Sequence, residues 1–244
     1  MNLSIDIGNS RVKIGLFDGN QLAQKWNWEF WQAEELLALA TNLRVKNIIL
    51  STVADTLPAQ VEQTLRDNFY YLPLNNQTPL PFNNLYRTPQ TLGKDRLAAV
   101  AGALALFPGQ HCLAIDAGTC ITFDLLTGGG DYLGGNISPG VRLRLKAMHA
   151  FTARLPELEP DATDLWLGYS TDSAMRNGAQ WGAAFEIEGT IAQCRAFYDP
   201  IQVILTGGDA DFLAKMMKSQ IFVHAELVLF GLNKILEYNV NQVA

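Results

Sequence analysis

The chain has 244 residues, 48% of them apolar and 17% charged, which excludes a disordered or low-complexity protein and suffices to bury a core without disulfide or metal staples. Its formal net charge of −6, with no dense Lys/Arg cluster, argues against nucleic acid as a partner. At about 150 residues per domain, the length fits one large or two small domains. The longest apolar run, Leu97–Phe107, is too short to span a bilayer, and its Ala and Gly content predicts a buried helix. Met1–Asp6 lacks the basic and apolar regions of a secretory signal, so the expected compartment is the cytoplasm, with no membrane partner. Cys112, Cys120 and Cys194 form no C-x-x-C, which supports neither a disulfide framework nor a zinc site. His111, His149 and His224 are isolated, so the chemistry is expected of carboxylates and backbone groups.

In chain order, Asn2–Ile7, Arg11–Phe17 and Gln21–Trp28 are β-prone runs separated by turn residues, and predict an antiparallel meander. A helix is expected at Ala33–Ala40, then a strand at Asn47–Thr52. Thr56-Leu57-Pro58 has the form of a helix start, with the helix running to about Asp67. Phe69–Leu72 suits another strand. Pro73–Pro89, rich in Pro and Asn, predicts a loop. The Ala-rich helix follows at Arg96–Phe107.

The opening pattern then recurs. Cys112–Ala117 and Thr119–Leu126 are predicted strands, Thr127–Asp131 a turn and Tyr132–Ile137 a third strand. Helices are expected at Val141–Ala150 and Thr171–Phe197, the latter with a break at Gly178 or Gly189 as an alternative. Leu155–Asp164 is a Pro- and acid-rich loop. Ile201–Leu205 predicts a buried strand, followed by Thr206-Gly207-Gly208-Asp209, a helix to about Lys218 and a last helix at Glu226–Tyr238. Asp6-Ile7-Gly8 and Asp116-Ala117-Gly118 lie 110 residues apart at the same strand-turn-strand position. A repeat with a meander around both copies implies an internal duplication. The class is α/β, with two domains at 1–108 and 109–244, and Gly8 and Gly118 are expected to face each other across one cleft.

A D-x-G turn between strands lets bare backbone approach a ligand and aim consecutive N–H groups at an anion. Asn9, Ser10 and Lys13 add donors and charge, and Asp6 and Asp116 are carboxylates suited to a phosphate's cations. Thr119 and Thr122 add hydroxyls. For one copy an ordinary hairpin turn is the better account; two copies, with Thr206-Gly207-Gly208 opening a helix, favour a nucleotide. Arg142, Arg144 and Lys146 fit a solvated helix face, with an anion site as the alternative. Gly93-Lys94-Asp95-Arg96 places a carboxylate between two basic residues at a helix start. Asp95 is there either as a helix cap or as the group that orients an alcohol and takes its proton during phosphoryl transfer.

Four motifs in order resemble those of the type III pantothenate kinases, of the acetate kinase/sugar kinase/heat-shock/actin superfamily. They are Asp6-Ile7-Gly8-Asn9-Ser10 for D-x-G-N-T, Gly93-Lys94-Asp95-Arg96 for G-x-D-R, Asp116-Ala117-Gly118-Thr119 for D-A-G-T, and Gly134-Gly135-Asn136-Ile137-Ser138-Pro139-Gly140 for G-G-x-I-x-P-G. Ser10 keeps the hydroxyl of the family's Thr, and Lys94 stands where the family often has a small residue. The resemblance implies two ribonuclease H-like (actin-like ATPase) domains, each a mixed sheet flanked by helices. It implies ATP-dependent phosphorylation of pantothenate, the first step to coenzyme A, with Mg²⁺ and a monovalent cation, K⁺ or NH₄⁺. By that likeness Asp95 accepts the proton. Asp6, Ile7, Gly8, Asn9, Ser10, Arg11, Val12, Lys13 and Thr119 bind ATP, and Asp116 holds the monovalent cation. Tyr86, Gly93, Lys94, Asp95, Arg96 and Thr171 contact pantothenate. Thr171 is also a plausible helix N-cap. A homodimer is implied. The competing readings are another small-molecule kinase of the superfamily and a non-enzymatic ATP-binding accessory factor.

Overall fold

The computed structural model describes residues 1–8, 11–52, 57–161 and 165–243. The chain forms two compact units: Met1–Pro108 with Gly130–Tyr132 and Glu226–Ala244, and Gly109–Gly129 with Leu133–Ala225.

In the first unit, β1 (Asn2–Ile7), β2 (Val12–Asp18) and β3 (Gln21–Trp28) make the expected antiparallel meander. The tight turn after β2 uses Gly19 at φ +54°, a conformation that favours glycine. β4 (Asn47–Thr52) and β5 (Tyr70–Pro73) join in parallel, giving the order β3-β2-β1-β4-β5. Leu3, Ser4 and Ile5 of the central strand are all fully buried, as befits a strand covered on both faces. One side packs into a core with Leu36 and Ala40 of α1 (Ala33–Asn42) and Leu65 of α2 (Ala59–Asn68). Trp26, Trp28 and Trp31 pack against the same core. α2 begins after Pro58, and the expected cap Thr56 lies outside the described residues. The Pro-rich loop contains a short strand, β6 (Asn83–Asn84), and a 3-10 turn at Pro89–Thr91.

The Ala-rich helix α3 (Lys94–Leu106) starts two residues earlier than expected and buries Arg96–Ala103. Its small side chains admit the C-terminal helix α7 (Leu227–Val243), which packs in this first unit although it ends the second half of the sequence. A Cβ on Gly102 would lie 2.7 Å from Leu227 Cδ1, and one on Gly231 would collide with the Ala98 carbonyl oxygen.

The second unit repeats the local topology. β7 (His111–Ala117) pairs antiparallel with β8 (Cys120–Leu126), as β1 does with β2, and parallel with β10 (Ile201–Thr206), as β1 does with β4. With β9 (Asp131–Pro139) and β11 (Phe222–Val223), the six-stranded sheet has the order β11-β10-β7-β8-β9-β6. α4 (Val141–Ala150) and α5 (Thr171–Tyr198) cover it, with Ala179, Ala183, Ile187 and Ile191 of α5 in the core.

α5 is the long helix expected, unbroken at Gly178 and Gly189. Two local expectations are corrected. The helix expected to reach Lys218 stops early, as α6 (Ala210–Ala214); the Glu188 carboxylate on α5 accepts the Lys218 and Ser219 backbone N–H groups and the Ser219 hydroxyl, turning the chain there. These bonds hold the Glu188 carboxyl below its ordinary range although burial opposes them. Finally, the N-cap of α5 is Ser170, in a capping box with Ser173, and not Thr171.

Candidate active site

In the first unit the chemistry gathers where β1, β4 and α3 end or begin. Asp6 stands near the end of β1, in register with Lys13 on β2 and Ser51 on β4. The Ser51 hydroxyl donates to Asp6 Oδ1 at 3.0 Å. Gly8 N–H donates to the Arg11 carbonyl at 3.0 Å, closing the hairpin; Ile7 pairs with Val12, and Asn9 and Ser10 lie outside the described residues. Burial pushes the Asp6 carboxyl above its ordinary range and the nearby Asp95 charge adds to this, while the Ser51 hydrogen bond and Lys13 oppose it.

Asp95 lies in the first turn of α3. The N-cap position is Gly93, which makes no side-chain cap bond, and Asp95 Oδ1 accepts from the first-turn Arg96 N–H at 2.9 Å. A Cβ at Gly93 would meet Asp95 Oδ1, so any larger residue there would displace that carboxylate. Lys94 turns away, its Nζ donating to the Thr52 carbonyl at 3.1 Å. Arg96 is buried, and its guanidinium lies 5.5 Å from the centre of the Tyr86 ring, within cation–π range. Tyr86 stacks on Tyr132, centroids 6.2 Å apart and planes 14° off parallel, and its N–H donates to Asn84 Oδ1 at 3.0 Å. Gly93–Arg96 and Tyr86, from the loop just before α3, thus come together. Tyr132 and Ser51 were missed from sequence. For Ser51 the signal was present: a hydroxyl closing the apolar strand Ile48–Leu50.

In the second unit Asp116 stands near the end of β7, in register with Thr122 on β8 and Thr206 on β10. Three glycine turns close around it. Gly118 N–H donates to the Cys120 carbonyl at 3.1 Å, and Gly140 N–H to the Thr119 carbonyl at 3.0 Å. Gly207 has φ +99°, and a Cβ there would lie 2.5 Å from Asp116 Oδ1 and the Ala117 carbonyl. Asp209 N–H donates to that same carbonyl at 3.0 Å. Burial pushes the Asp209 carboxyl up, with Arg142 acting against it. Thr119 is exposed, as is Thr171 at the start of α5. Arg142 pairs with Glu159 and Arg144 with Glu186, so both arginines of α4 are engaged by carboxylates, as on a solvated helix face.

Among the described residues no group of three or more His, Cys, Asp or Glu could hold a metal ion. The carboxylates present are of the kind a hydrated cation uses. Mg²⁺ takes one or two carboxylates and completes its shell with water and phosphate, and Asp6, half-buried and repelled by the Asp95 charge, is a carboxylate that a cation would relieve. Asp116 among main-chain carbonyls offers the hard oxygens a monovalent cation prefers. No described helix is long and apolar enough to cross a membrane.

Comparison with known proteins agrees. The family model described as "Type III pantothenate kinase" matches residues 2–193. The type III pantothenate kinase of Phocaeicola vulgatus is 43% identical over 242 residues, covering 98% of this chain and 99% of that protein; that of Porphyromonas gingivalis is 41% identical over 244 residues, with 98% and 99% covered. Among solved structures, a Campylobacter jejuni protein described as a Baf family transcriptional activator aligns with TM-score 0.62 at 22% identity, over 98% of this chain and 99% of that one. The ROK hexokinase of Thermus thermophilus aligns with TM-score 0.52 at 15% identity over 98% and 99%. These structural likenesses establish the fold, that of the actin-like ATPases, while identity of this order along the whole length, on top of the ordered motifs, places the chain in the type III pantothenate kinase family.

Proposed function

We infer that this member of the family transfers the terminal phosphoryl group of ATP to the primary hydroxyl of pantothenate, the first step toward coenzyme A, with Asp95 as proton acceptor. The observation that carries the reading is the placement of Asp95: in the first turn of α3, after a glycine that leaves room for its carboxylate, with its charge acting on Asp6 and next to Arg96, which pairs with Tyr86. Phosphoryl transfer asks a protein chiefly for positioning and charge stabilisation. In this reading Asp95 orients the hydroxyl and takes its proton as the bond to phosphorus forms. Arg96, stiffened by Tyr86, holds the substrate carboxylate. Gly93, Lys94 and Thr171 complete the pantothenate contacts, Lys94 through its backbone, since its ammonium is engaged by Thr52. The residues Asp6–Lys13 and Thr119 hold the phosphates of ATP. Asp6 would hold Mg²⁺ and Asp116 the monovalent cation; when bound, these ions neutralise charge on the phosphates.

The cysteines Cys112, Cys120 and Cys194 are free, which suits a reducing cytoplasm. Self-association into a homodimer is part of the proposal, supported by large apolar side chains exposed on the second unit, among them Trp166, Tyr169 and Phe185.

A coupled ADP-release assay tests the substrate, with pantothenate expected to drive turnover and glucose and acetate not; ADP release with glucose or acetate and none with pantothenate would overturn the assignment. Asp116→Asn is expected to lower activity and flatten its dependence on added K⁺ or NH₄⁺. A cation titration unchanged from wild type would remove Asp116 from that role.

A further inference from the structure

We propose that Ser51 is a positioning residue of the nucleotide site, its hydroxyl fixing the carboxylate of Asp6 for cation and phosphate binding. The proposal rests on the assignment of Asp6 to that site. Ser51 closes an apolar stretch in which Ile48, Ile49 and Leu50 are buried, and it is itself only 1% exposed. A hydroxyl taken out of water there must be hydrogen-bonded. The parallel register of β1 and β4 sets Ser51 opposite Asp6, and its Oγ donates to Asp6 Oδ1 at 3.0 Å. A donor in this place holds one oxygen of the carboxylate and so limits rotation about its last torsion.

The next residue extends the device. The Thr52 carbonyl accepts from Lys94 Nζ at 3.1 Å, tying the same strand end to the first turn of α3, where Asp95 stands. Two consecutive residues of β4 thereby hold the elements that carry both carboxylates. Removing the Ser51 hydroxyl frees that torsion of Asp6 and leaves the carboxylate without its fixed orientation.

The experiment measures binding of a non-hydrolysable ATP analogue with Mg²⁺ by calorimetry in wild type, Ser51→Ala, Asp6→Asn and the double variant. Thermal unfolding and circular dichroism of each confirm the fold. Ser51→Ala is expected to weaken binding roughly 10-fold, the scale seen when a partner of a metal-binding carboxylate is lost. In the Asp6→Asn background the same change should cost nothing further, since a residue acting through Asp6 has nothing left to act on. Wild-type affinity in Ser51→Ala would overturn the proposal, as would a loss that adds in full to that of Asp6→Asn. If Asp6→Asn alone binds like wild type, the assignment of Asp6 fails, and the proposal with it; that result is distinct from a silent Ser51→Ala beside an impaired Asp6→Asn.

Discussion

Asp95→Asn is expected to lose on the order of 10²–10⁴ in kcat, the usual span for a lost general base, while keeping the fold and ATP binding. An alcohol is a poor nucleophile at neutral pH, and an amide in place of the carboxylate still hydrogen-bonds the hydroxyl but cannot take its proton. Between Asp67 and Asp116 the chain has no other acidic residue. Substrate KM should therefore move less than kcat. The geometry also sets what the variant should not do. The N-cap of α3 is Gly93, and Asp95 bonds only to its neighbour's N–H among the hydrogen bonds described for its side chain. Its stabilising part is a negative charge in a first turn, worth about 0.3–1 kcal/mol, so Tm should fall by about 4 °C at most. Steady-state kinetics beside thermal unfolding decide the matter: near-normal turnover with a much lower melting temperature would make Asp95 a structural residue and leave the reaction without its base.

Gly231→Val should destabilise the first unit by about 3 kcal/mol or more, the upper range for overpacking a well-filled interior. A Cβ at Gly231 on α7 would overlap the Ala98 carbonyl oxygen on α3 and lie 2.6 Å from Ala98 C and 2.8 Å from Gly102 N. All three are backbone atoms, so no rotamer change relieves the clash. The helices must move apart, and the close approach of Ala98 and Gly102 to α7 is lost. For a chain of this size the drop corresponds to roughly 6–12 °C in Tm. Gly189→Ala is the control. It too is a glycine within a long helix, but nothing lies within 4 Å of the position its Cβ would take, so the better helix propensity of Ala, about 1 kcal/mol, should leave the protein unchanged or more stable. Equal melting curves for wild type and Gly231→Val would show that α7 does not pack closely on α3.

Much of this protein is determined by its sequence alone, and the legible parts share a cause. The meander β1–β3, the strand Asn47–Thr52 and the helix Val141–Ala150 follow from side-chain alternation, helical periodicity and turn residues, signals that act over a few neighbouring positions. The D-x-G turns, Gly93–Arg96 and the run from Gly134 to Gly140 are likewise contiguous, which is why the family was legible before any fold was known. What only the tertiary structure decided depends on which distant segments meet. The helix after Asp209 ends early because Glu188 on α5 captures the N–H groups of Lys218 and Ser219. Arg96 and Tyr86 become a pair, with Tyr132 behind them, only when α3, the Pro-rich loop and the start of β9 are brought together. The carboxylate of Asp6 finds Ser51 because parallel register sets two strand ends side by side. The last helix joins the first unit because glycines on α3 and α7 let two backbones touch. Propensity and turn chemistry are properties of a few adjacent residues, whereas close approach and hydrogen-bond partnership are properties of residue pairs that only the folded chain makes neighbours.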